Sequence, residues 1–502
     1  RGVKLNVMAL VDSAGFDAEA LAKGLELSDY RLQPGDLTEL KRLFEHATTF
    51  GSLIQVPDEL AAKLPVLKQL SETTSQDLFV SEALKRLGPL VQQAELLAAQ
   101  YDAVVANPPY MGGKVMNGLL KKFLKDQYKG YAKDVFSAFI DRNLVFGKPH
   151  GRSGFMSPFV WMFISSHEHL RARLIVKETV TSLVQLEYSG FEGATVPVCT
   201  FTLRKGHLEG HKGSFIRLSE FRGSASQGPK TLEAIRNRDC GWFFEAAPDE
   251  LRKIPTSPLA YWLPKSILDL FVEGKKSSEF GKALTGLQTG NTGLFLRRFW
   301  EVSIVETGVA VSSRTAAAAT DYRWFPCSKG GDFRKWAGNN DYVVNWFHDG
   351  ADVRKHKAVE LEAGRITANN SKCWNQDYYF RNGIGWNMVT SGLPSFRFYD
   401  DGVIFDISSP TFFLENRTNT ETFISYFNSK VCLLIAGALS PTLNFVPGVL
   451  ENFPILLGEE LSAATEDIGR KCITQGRRDW DAYERSWDFQ SLPLLTASTD
   501  ST

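Results

Sequence analysis

Cysteine is scarce in this sequence, and its distribution excludes two kinds of structural support. The 6 cysteines are scattered along 502 residues, without a CxxC pair and without a histidine at metal-ligand spacing. A disulfide framework or a zinc site needs such residues at compact, recurring spacings. We therefore expect neither disulfides nor a metal site. The cysteines are Cys199, Cys240, Cys327, Cys373, Cys432 and Cys472.

Long apolar runs and an excess of one charge are missing as well. No run approaches the roughly 18 apolar residues that a membrane span needs, and Val431 to Leu439 predicts a buried helix instead. No secretory signal opens the sequence, so we expect a cytoplasmic protein that does not associate with membranes. The formal net charge of +0 excludes a uniformly basic nucleic-acid coat but is compatible with a local basic groove.

The apolar fraction of 43% and the aromatic fraction of 12% indicate a folded protein. Strand-like and helix-like stretches alternate in residues 1–205, which predicts an α/β fold with a mainly parallel sheet covered on both faces. The predicted strands are Leu5–Val11, Tyr101–Ala106, Gly154–Pro158, Leu183–Tyr188 and Val196–Arg204. The predicted helices are Leu37–His46, Val66–Gln100, Lys133–Phe146 and Glu168–Glu178.

Beyond residue 205 the pattern changes, because helical periodicity fades and glycine and aromatic residues become frequent. We predict an irregular α+β domain over residues 206–455. A C-terminal helical segment and tail follow over 456–502, with a charged helix around Glu459–Trp487. The aromatic residues between Phe325 and Trp346 are expected to lie mostly in a core.

The strongest local signal is Asn107-Pro108-Pro109-Tyr110, which directly follows the predicted strand Tyr101–Ala106. Ligands of open α/β sheets lie beyond the carboxyl ends of the strands. Two prolines fix a rigid, non-helical turn there, so that the Asn107 side-chain oxygen and the Pro108 carbonyl can face one point. Both are acceptors that suit an exocyclic amine, and Tyr110 can stack on the flat base that carries the amine.

This motif predicts methyl transfer to the amino group of a base. Hydrogen bonds to Asn107 and Pro108 localise the nitrogen lone pair for attack on a methyl donor, and the proton can leave after the transfer without a strong base. A base within a duplex must first flip out to reach the turn. The alternative is a plain double-proline turn, although its position after a hydrophobic strand favours the catalytic interpretation.

Residues 101–110 resemble the catalytic motif of gamma-type amino-methyltransferases. Further segments, spread over nearly the whole chain, resemble PglX, the adenine-specific methyltransferase of type 1 BREX phage-defence systems. These segments are Phe50–Ile54, Ser189–Glu192, Val196–Val198, Trp324–Pro326, Lys329–Trp336, Asn339–Trp346 and Ser440–Phe445.

The resemblance implies a Rossmann-like, S-adenosylmethionine-dependent methyltransferase sheet, here partial, followed by an α+β target-recognition domain. It implies methylation of adenine N6 in double-stranded DNA, with other BREX defence proteins as partners and marking of host DNA as the purpose. The catalytic residues would be Asn107, Pro108, Pro109 and Tyr110.

For the cofactor, S-adenosylmethionine, the resemblance implies a glycine-rich loop and a ribose-binding acid. We expect both upstream of Arg1, so that residues 1–205 form the C-terminal part of the catalytic domain. Gly51, Ser52 and Leu53 resemble the segment near the cofactor's adenine, with an ordinary loop as the alternative, and Asn107 is also expected at the cofactor. Gly286–Gly293 predicts a structural or DNA-facing turn.

Candidate DNA-binding residues are basic side chains near the motif and in the second domain. Lysines that follow the motif can neutralise phosphates, or they form a solvated helix face. Arginine suits both guanine edges and phosphates. The candidates are Lys121, Lys122, Arg297, Arg298, Lys329, Arg334, Lys335 and Arg397, and Lys125, Lys129 and Lys133 lie close to the first two in sequence.

Two other function classes stay open at this point. The chain could instead be a DNA-recognition or scaffold subunit of a defence complex that is inactive without partners, or an enzyme for amines of RNA or protein. The size of the aromatic, arginine-bearing second domain favours DNA. His167 and His169 lie at a predicted helix start, where we expect capping or surface positions instead of metal ligands.

Overall fold

The computed structural model describes residues 7–191, 196–309, 311–390, 392–416, 419–440, 444–456 and 459–497. The chain divides into two compact units. The first unit is Arg1–Arg252 with Thr256–Trp262, and the second unit is Lys253–Pro255 with Leu263–Thr502. The first unit thus extends beyond the boundary that we expected near residue 205, because the strands that follow this point join its sheet.

Helices dominate the first hundred residues. The helices of the first unit are α1 Ala18–Gly24, α2 Pro34–Leu43, α3 Ala47–Phe50, α4 Asp58–Ala61, α5 Leu64–Ser71, α6 Leu78–Ala98, α7 Gly118–Gln127, α8 Val135–Phe146, α9 Glu168–Lys177 and α10 Ser224–Arg236. Leucines at helical spacing build one shared core, in which Leu37, Leu67 and Leu87 are fully buried. Burial of each such side chain stabilises the fold by about 1.5–3 kcal/mol.

Two predictions for this region are wrong. Residues 7–11 form no strand, although Leu5–Val11 was expected to be one, and residues 5 and 6 lie outside the described part. The expected helix Val66–Gln100 is two helices, α5 and α6, because Asp77 starts a new one. Its carboxylate accepts hydrogen bonds from the N–H groups of Phe79 at 2.8 Å and Val80 at 3.2 Å.

Among the described residues of the first unit, six strands form one sheet in the order β1-β2-β4-β3-β5-β6. The strands are β1 Tyr101–Ala106, β2 Gly147–Pro158, β3 Glu178–Gln185, β4 Val198–Lys205, β5 Gly213–Arg217 and β6 Phe243–Ala246. The pairs β1–β2 and β3–β5 are parallel, whereas β2–β4, β3–β4 and β5–β6 are antiparallel.

We expected a mainly parallel sheet, but the sheet is mixed, because three of its five strand pairs are antiparallel. Strands β1, β2, β3 and β5 do run in one direction. Strand β4 turns back after β3 with no helix among the described residues between them, 186–191 and 196–197, and inserts between β2 and β3, which makes both of its ladders antiparallel. The carboxyl ends of β1 and β2 thus lie at the same edge of the sheet.

The second unit combines short helices with small sheets, as expected for an α+β domain. Its helices are α11 Lys265–Glu273, α12 Thr292–Phe295, α13 Arg314–Ala318, α14 Phe347–Glu362, α15 Thr420–Phe427, α16 Lys430–Leu439, α17 Pro447–Leu450, α18 Glu459–Asp481 and α19 Pro493–Ala497. Its strands are β7 Lys275–Lys276, β8 Gly281–Leu284, β9 Leu287–Gln288, β10 Leu296–Arg298, β11 Trp324–Ser328, β12 Tyr342–Asn345, β13 Lys372–Cys373, β14 Gly383–Trp386, β15 Phe396–Tyr399, β16 Ile404–Phe405, β17 Thr411–Leu414 and β18 Pro454–Ile455.

Aromatic side chains fill the cores of this unit. Two sheets, β10-β12-β11-β16 and β15-β14-β17-β8, bury rings such as Phe325, Trp346 and Trp386 at 0–1% exposure. The aromatic residues of the segment from Phe325 to Trp346 are not all internal, because Phe333 is 64% exposed. Edge-to-face ring pairs, such as Trp346 with Tyr379 at 5.2 Å, add directional packing to the burial.

The glycine-rich segment Gly286–Gly293 is a packed turn. A Cβ at Gly286 would lie 1.8 Å from the Phe405 carbonyl oxygen, and Gly290 has a φ of +79°. The Asn291 side chain accepts a hydrogen bond from the Leu294 N–H and caps α12. Close backbone approach therefore accounts for these glycines.

Helix α16 confirms the buried helix expected at Val431 to Leu439. In the part of the chain that the structure describes, no single helix is both long and apolar enough to cross a membrane. Helices α15 and α16 reach that length and apolarity only when they are taken together, and the chain bends by 64° between them.

Candidate functional site

The Asn-Pro-Pro-Tyr turn follows β1 directly, as the sequence predicts. Pro108 and Pro109 lack the N–H groups that would extend the ladder with β2, so the strand ends at Ala106, opposite Phe155. Pro108 is buried, whereas Asn107 and Tyr110 are exposed, Tyr110 at 37%. The turn is thus anchored by a proline and presents an amide and a ring to ligands.

Asn107 and Tyr110 contact each other within the turn. The Tyr110 hydroxyl donates a hydrogen bond to Asn107 Oδ1 over 3.2 Å. Burial raises the pKa of the Tyr110 hydroxyl, and the thiol of Cys199 on β4 adds to this effect. The hydroxyl therefore stays protonated at neutral pH and remains a donor to Asn107.

Buried residues of β2, of β4 and of the segment after β2 pack beside the turn. Cys199 is fully buried, and burial raises the pKa of its thiol to about 12. Ser157 Oγ accepts a hydrogen bond from Trp161 Nε1 over 3.1 Å. Arg171, also fully buried, donates to the carbonyls of Trp161 at 2.8 Å and Ile164 at 2.6 Å. A buried guanidinium thus fixes the chain that leaves β2.

The residues immediately after Tyr110 are bound to the start of α8. Met111 N–H donates to Asp134 Oδ1 over 3.0 Å, and Val135 N–H donates to the Met111 carbonyl over 3.1 Å. Gly113 N–H donates to the Lys133 carbonyl over 3.2 Å. Burial raises the pKa of Asp134, while the N–H groups of Met111 and Phe136 oppose that shift. Sequence reasoning missed Asp134 because its partner is a backbone group 23 residues away.

Between these two bound stretches, residues 114–133 form an excursion that carries exposed lysines and α7. We call it the lysine segment. Its lysines are Lys114, Lys121, Lys122, Lys125, Lys129 and Lys133. None of their ammonium groups forms an ion pair with a carboxylate of the described residues. Phe123 stacks on Phe50 at 4.0 Å and packs the segment onto the first unit. The structure therefore brings Lys121 and Lys122 to an excursion whose two ends lie beside the turn.

Gly51, Ser52 and Leu53 form a single 3-10 turn. Gly51 has a φ of +56° with open space around its missing Cβ. The carbonyl of Ser52 accepts from Arg142 Nε at 3.0 Å, and that of Leu53 accepts from the Tyr128 hydroxyl at 2.5 Å. Leu53 also lines a cavity of about 300 Å³ together with Phe50, Ile54, Gln55 and Phe123. The lining is mainly apolar but also includes Gln55, Gln127 and Arg42.

In the second unit, Arg397 corrects one DNA-binding prediction. Its side chain is fully buried, and it donates to Asn387 Oδ1 at 2.6 Å, the Tyr399 hydroxyl at 3.2 Å and the Arg334 carbonyl at 3.2 Å. With Ser395 Oγ at 3.4 Å as a fourth acceptor, the enclosed guanidinium holds the fold together and does not reach a phosphate. Sequence alone shows the charge but not its burial.

Four other candidates already have protein partners. Lys329 pairs with the buried carboxylate of Asp406 at 3.1 Å, Arg334 pairs with Asp479 at 2.6 Å, Arg298 pairs with Asp341, and Lys335 donates to the Asn428 carbonyl at 3.0 Å. Arg298 also lies 4.0 Å above the Tyr342 ring. These contacts give each side chain a structural role, and DNA contact stays a prediction for them.

Arg297 donates to the carbonyls of Gly293 and Leu296, the latter at 2.7 Å, and it also lines an open cleft. The cleft has a volume of about 550 Å³. We call it the basic cleft because Arg297, Arg323, Lys355 and His356 line it. Arg323 pairs with Asp352 at 3.4 Å, and Asp352 also accepts from the Asn345 side chain at 3.0 Å. Sequence reasoning missed Arg323 and Lys355. The run Arg354-Lys355-His356-Lys357 on α14 was the available signal.

The two candidate histidines have different environments. His167 is the N-cap residue of α9, as expected, but its side chain makes no capping hydrogen bond; it is buried at 5% exposure, and its Nδ1 lies 2.9 Å from Ser137 Oγ. Burial lowers the pKa of His167 to about 4. His169 is exposed. Within the described ranges, no group of three or more histidine, cysteine, aspartate or glutamate residues could hold a metal ion.

Comparison with known proteins finds similarity to methylases and methyltransferases. Residues 39–191 match the model of the Eco57I restriction-modification methylase family. The chain is 32% identical over 526 residues to the adenine-specific methyltransferase BrxX of Escherichia coli O9:H4 (strain HS), with coverage of 99% of this chain and 41% of BrxX. It is 29% identical over 494 residues to the adenine-specific methyltransferase PglX of Lacticaseibacillus casei (strain Zhang), with coverage of 95% and 40%.

The resemblance to PglX is confirmed. The chain spans about two fifths of the length of these two relatives. Among solved structures, MmeI, a Type IIL restriction-modification enzyme in complex with DNA, is similar with a TM-score of 0.51 and 12% identity, over 92% of this chain and 64% of that one. This likeness supports the fold, an α/β methylase region followed by a further α+β domain. Residues Ser189–Phe191 and Ser440 of the PglX-like segments are described, whereas Glu192 and Pro441–Leu443 lie outside the described residues.

Proposed function

We propose that this chain carries the catalytic turn and the target-recognition region of a DNA methyltransferase that modifies adenine N6. The observation that carries the proposal is the turn after β1, where Asn107 and Tyr110 are exposed and Pro108 is buried. Similarity to BrxX and PglX, both named adenine-specific methyltransferases, supports adenine as the base.

The turn holds the reacting amine by its two hydrogen atoms. One N–H of the flipped adenine donates to Asn107 Oδ1, where it replaces the Tyr110 hydroxyl, and the other donates to the Pro108 carbonyl. The two hydrogen bonds localise the lone pair on the nitrogen and reduce its delocalisation into the purine ring. The Tyr110 ring then stacks on the base and holds it in the turn.

S-adenosylmethionine supplies the methyl group in this reaction. Asn107 and Pro108 would hold the nitrogen as it accepts the methyl group, and the nitrogen would then release one proton to water. For the cofactor we propose contacts with Gly51, Ser52, Leu53 and Asn107. The carbonyls of Ser52 and Leu53 are already engaged, so the Ser52 side chain and the apolar wall of the neighbouring cavity would make the contacts.

DNA binding is assigned to two basic surfaces, one in each unit. The lysine segment offers ammonium groups beside the turn, where the backbone on either side of a flipped nucleotide must pass. The basic cleft of the second unit offers Arg297 and Lys355 for phosphate or base contacts. The relatives' names, and the DNA-bound state of MmeI, support DNA as the substrate.

BrxX- and PglX-like proteins suggest a place in BREX-type phage defence, with other defence proteins as partners. The proposed function is tested by incubating the intact protein, of which this chain is a part, with S-adenosylmethionine and unmethylated plasmid DNA, followed by mass spectrometry of the nucleosides. We expect N6-methyladenine with the wild type and a loss of at least about 100-fold with Asn107→Ala. Methylation that requires added defence proteins would instead favour a subunit that depends on partners.

A further inference from the structure

Asp134 makes contacts both with the residue that follows the Asn-Pro-Pro-Tyr turn and with the start of α8. Its Oδ1 accepts the Met111 N–H over 3.0 Å, and the same atom accepts the Phe136 N–H over 3.4 Å as the N-cap of α8. Its Oδ2 faces Gly112, where an added Cβ would lie at 3.4 Å. One carboxylate thus joins the residue after the turn to the first turn of a helix.

The Met111 N–H controls the geometry of Tyr110. Because the peptide unit is planar, this N–H and the Tyr110 carbonyl belong to one rigid plane. Holding the N–H therefore constrains the ψ angle of Tyr110 and, with it, how Tyr110 and the turn before it are oriented relative to α8. The backbone bonds between Met111 and Val135 and between Gly113 and Lys133 hold the following residues but leave this plane to Asp134.

Helix α8 is a suitable reference for such positioning because it is rigidly packed. Phe136, Ala138 and Ile140 are 0–1% exposed. Arg142, near its other end, donates to the carbonyls of Ser52 at 3.0 Å and Leu97 at 2.7 Å. Because Asp134 is fixed to this helix, it holds Met111 at a defined position.

We propose that Asp134 is a positioning residue that sets the Asn-Pro-Pro-Tyr turn for methyl transfer by holding the Met111 N–H. This role rests on the proposed methyltransferase function. Its loss should lower the rate of the chemical step more than the affinity for DNA, because the geometry of the reacting groups affects the transition state most.

The chain offers a matched control for the helix-capping role. Asp77 caps α6 with hydrogen bonds from Phe79 and Val80, just as Asp134 caps α8, but it holds no residue of the turn. Removal of either cap should therefore cost similar stability. Only Asp134→Ala should also release the turn.

Four variants of the full chain separate the two roles. Asp134→Asn keeps an oxygen acceptor at the same distance and should preserve both roles. Asp134→Ser keeps a helix cap but is too short to reach Met111. Asp134→Ala removes both contacts, and Asp77→Ala removes an ordinary cap. Thermal unfolding of each variant verifies that it is folded and reports the cost of the cap.

Hydrogen exchange gives a readout that does not depend on activity. Exchange of the Met111 amide, followed by mass spectrometry of peptides from this loop, should be at least about 10-fold faster in Asp134→Ala and Asp134→Ser, since the 3.0 Å hydrogen bond is removed. It should be unchanged in Asp134→Asn and Asp77→Ala. Equal exchange in Asp134→Ser and the wild type overturns the proposal.

Methylation kinetics on unmethylated plasmid DNA supply the second arm. We expect kcat to fall about 10- to 100-fold in Asp134→Ala and Asp134→Ser, with KM for DNA nearly unchanged and with rescue by Asp134→Asn. An equal fall in Asp77→Ala would mean that only helix stability matters, and the positioning role would be wrong. A wild type that methylates no adenine would contradict the proposed function, whereas the exchange arm still decides whether Asp134 holds the turn.

Discussion

The Tyr110 hydroxyl donates to Asn107 Oδ1 over 3.2 Å, so that the oxygen proposed as acceptor for the amine is engaged by the aromatic residue of its own motif. An incoming amine must compete with this hydroxyl for the same oxygen. The ring can still stack once the hydroxyl has moved, because stacking uses the face of the ring.

Replacement of Tyr110 separates the ring from the hydroxyl. Tyr110→Phe keeps the ring and frees Asn107, so methylation should stay within about 3-fold of the wild type or rise slightly, whereas Tyr110→Ala loses about 1–3 kcal/mol of stacking, equivalent to about 5- to 150-fold in rate. Steady-state methylation of plasmid DNA measures both variants. If Phe is as inactive as Ala, the hydroxyl has a catalytic role and the stacking interpretation is wrong.

The lysine segment should determine part of the salt dependence of DNA binding. Lys121→Glu with Lys122→Glu should weaken binding on every DNA sequence, and removal of each phosphate-binding lysine should reduce the slope of log affinity against log salt by about 1. Fluorescence anisotropy at several salt concentrations measures the slope. Lys41→Glu with Lys85→Glu is the matched control, because both lysines are exposed on helices of the same unit. Equal slopes for the two double variants would remove the segment from the DNA interface.

The basic cleft should contribute to target recognition. Arg297→Ala or Lys355→Ala should either weaken binding on all DNA, which indicates phosphate contact, or relax one position of the methylated sequence, which indicates base contact. Sequencing that maps methylated adenines distinguishes the two outcomes. Lys282→Ala is a suitable control, since this exposed lysine lies on β8 and does not line the cleft. An unchanged affinity together with an unchanged methylated sequence would exclude the cleft.

His167 should make the first unit sensitive to acid. Burial lowers its pKa to about 4, while an unfolded histidine titrates near 6.5. Between these values the unfolded state binds a proton that the folded state rejects, so the free energy of unfolding falls as pH decreases. At pH 5 this loss amounts to about 2 kcal/mol relative to pH 8.

Urea unfolding at pH 5 and pH 8 tests this expectation. His167→Gln should lose stability at both pH values, because the contact with Ser137 changes, but its difference between the two pH values should be smaller than that of the wild type. His169→Gln is the control, since His169 is exposed two residues away. A wild-type pH difference that persists in His167→Gln would show that another group causes it.

Sequence patterns predicted the elements whose signals are local. The strand Tyr101–Ala106 and the turn after it follow from β-branched residues and two prolines, and both lie where we expected. Helix α8 begins close to the predicted residue because Asp134 caps it. These features need only neighbouring residues to be specified.

Features that depend on tertiary contacts were missed. The insertion of β4 between β2 and β3 is a matter of topology, and periodicity alone does not encode the direction of a strand. The burial of Arg397 on β15 depends on Asn387, which directly follows the neighbouring strand β14 and comes close only once the register of the two strands is known. Asp134 was missed as a partner of the turn for the same reason, although its capping role is visible in the sequence.

The central claim is that Asn107 and its turn transfer a methyl group to adenine N6 in DNA. Single-molecule sequencing of DNA from cells that express the intact protein tests it most directly, with Asn107→Ala as the paired variant. The account predicts N6-methyladenine at one recurring DNA sequence with the wild type and none with Asn107→Ala. Equal methylation with both proteins, or a modified base other than adenine, would contradict it.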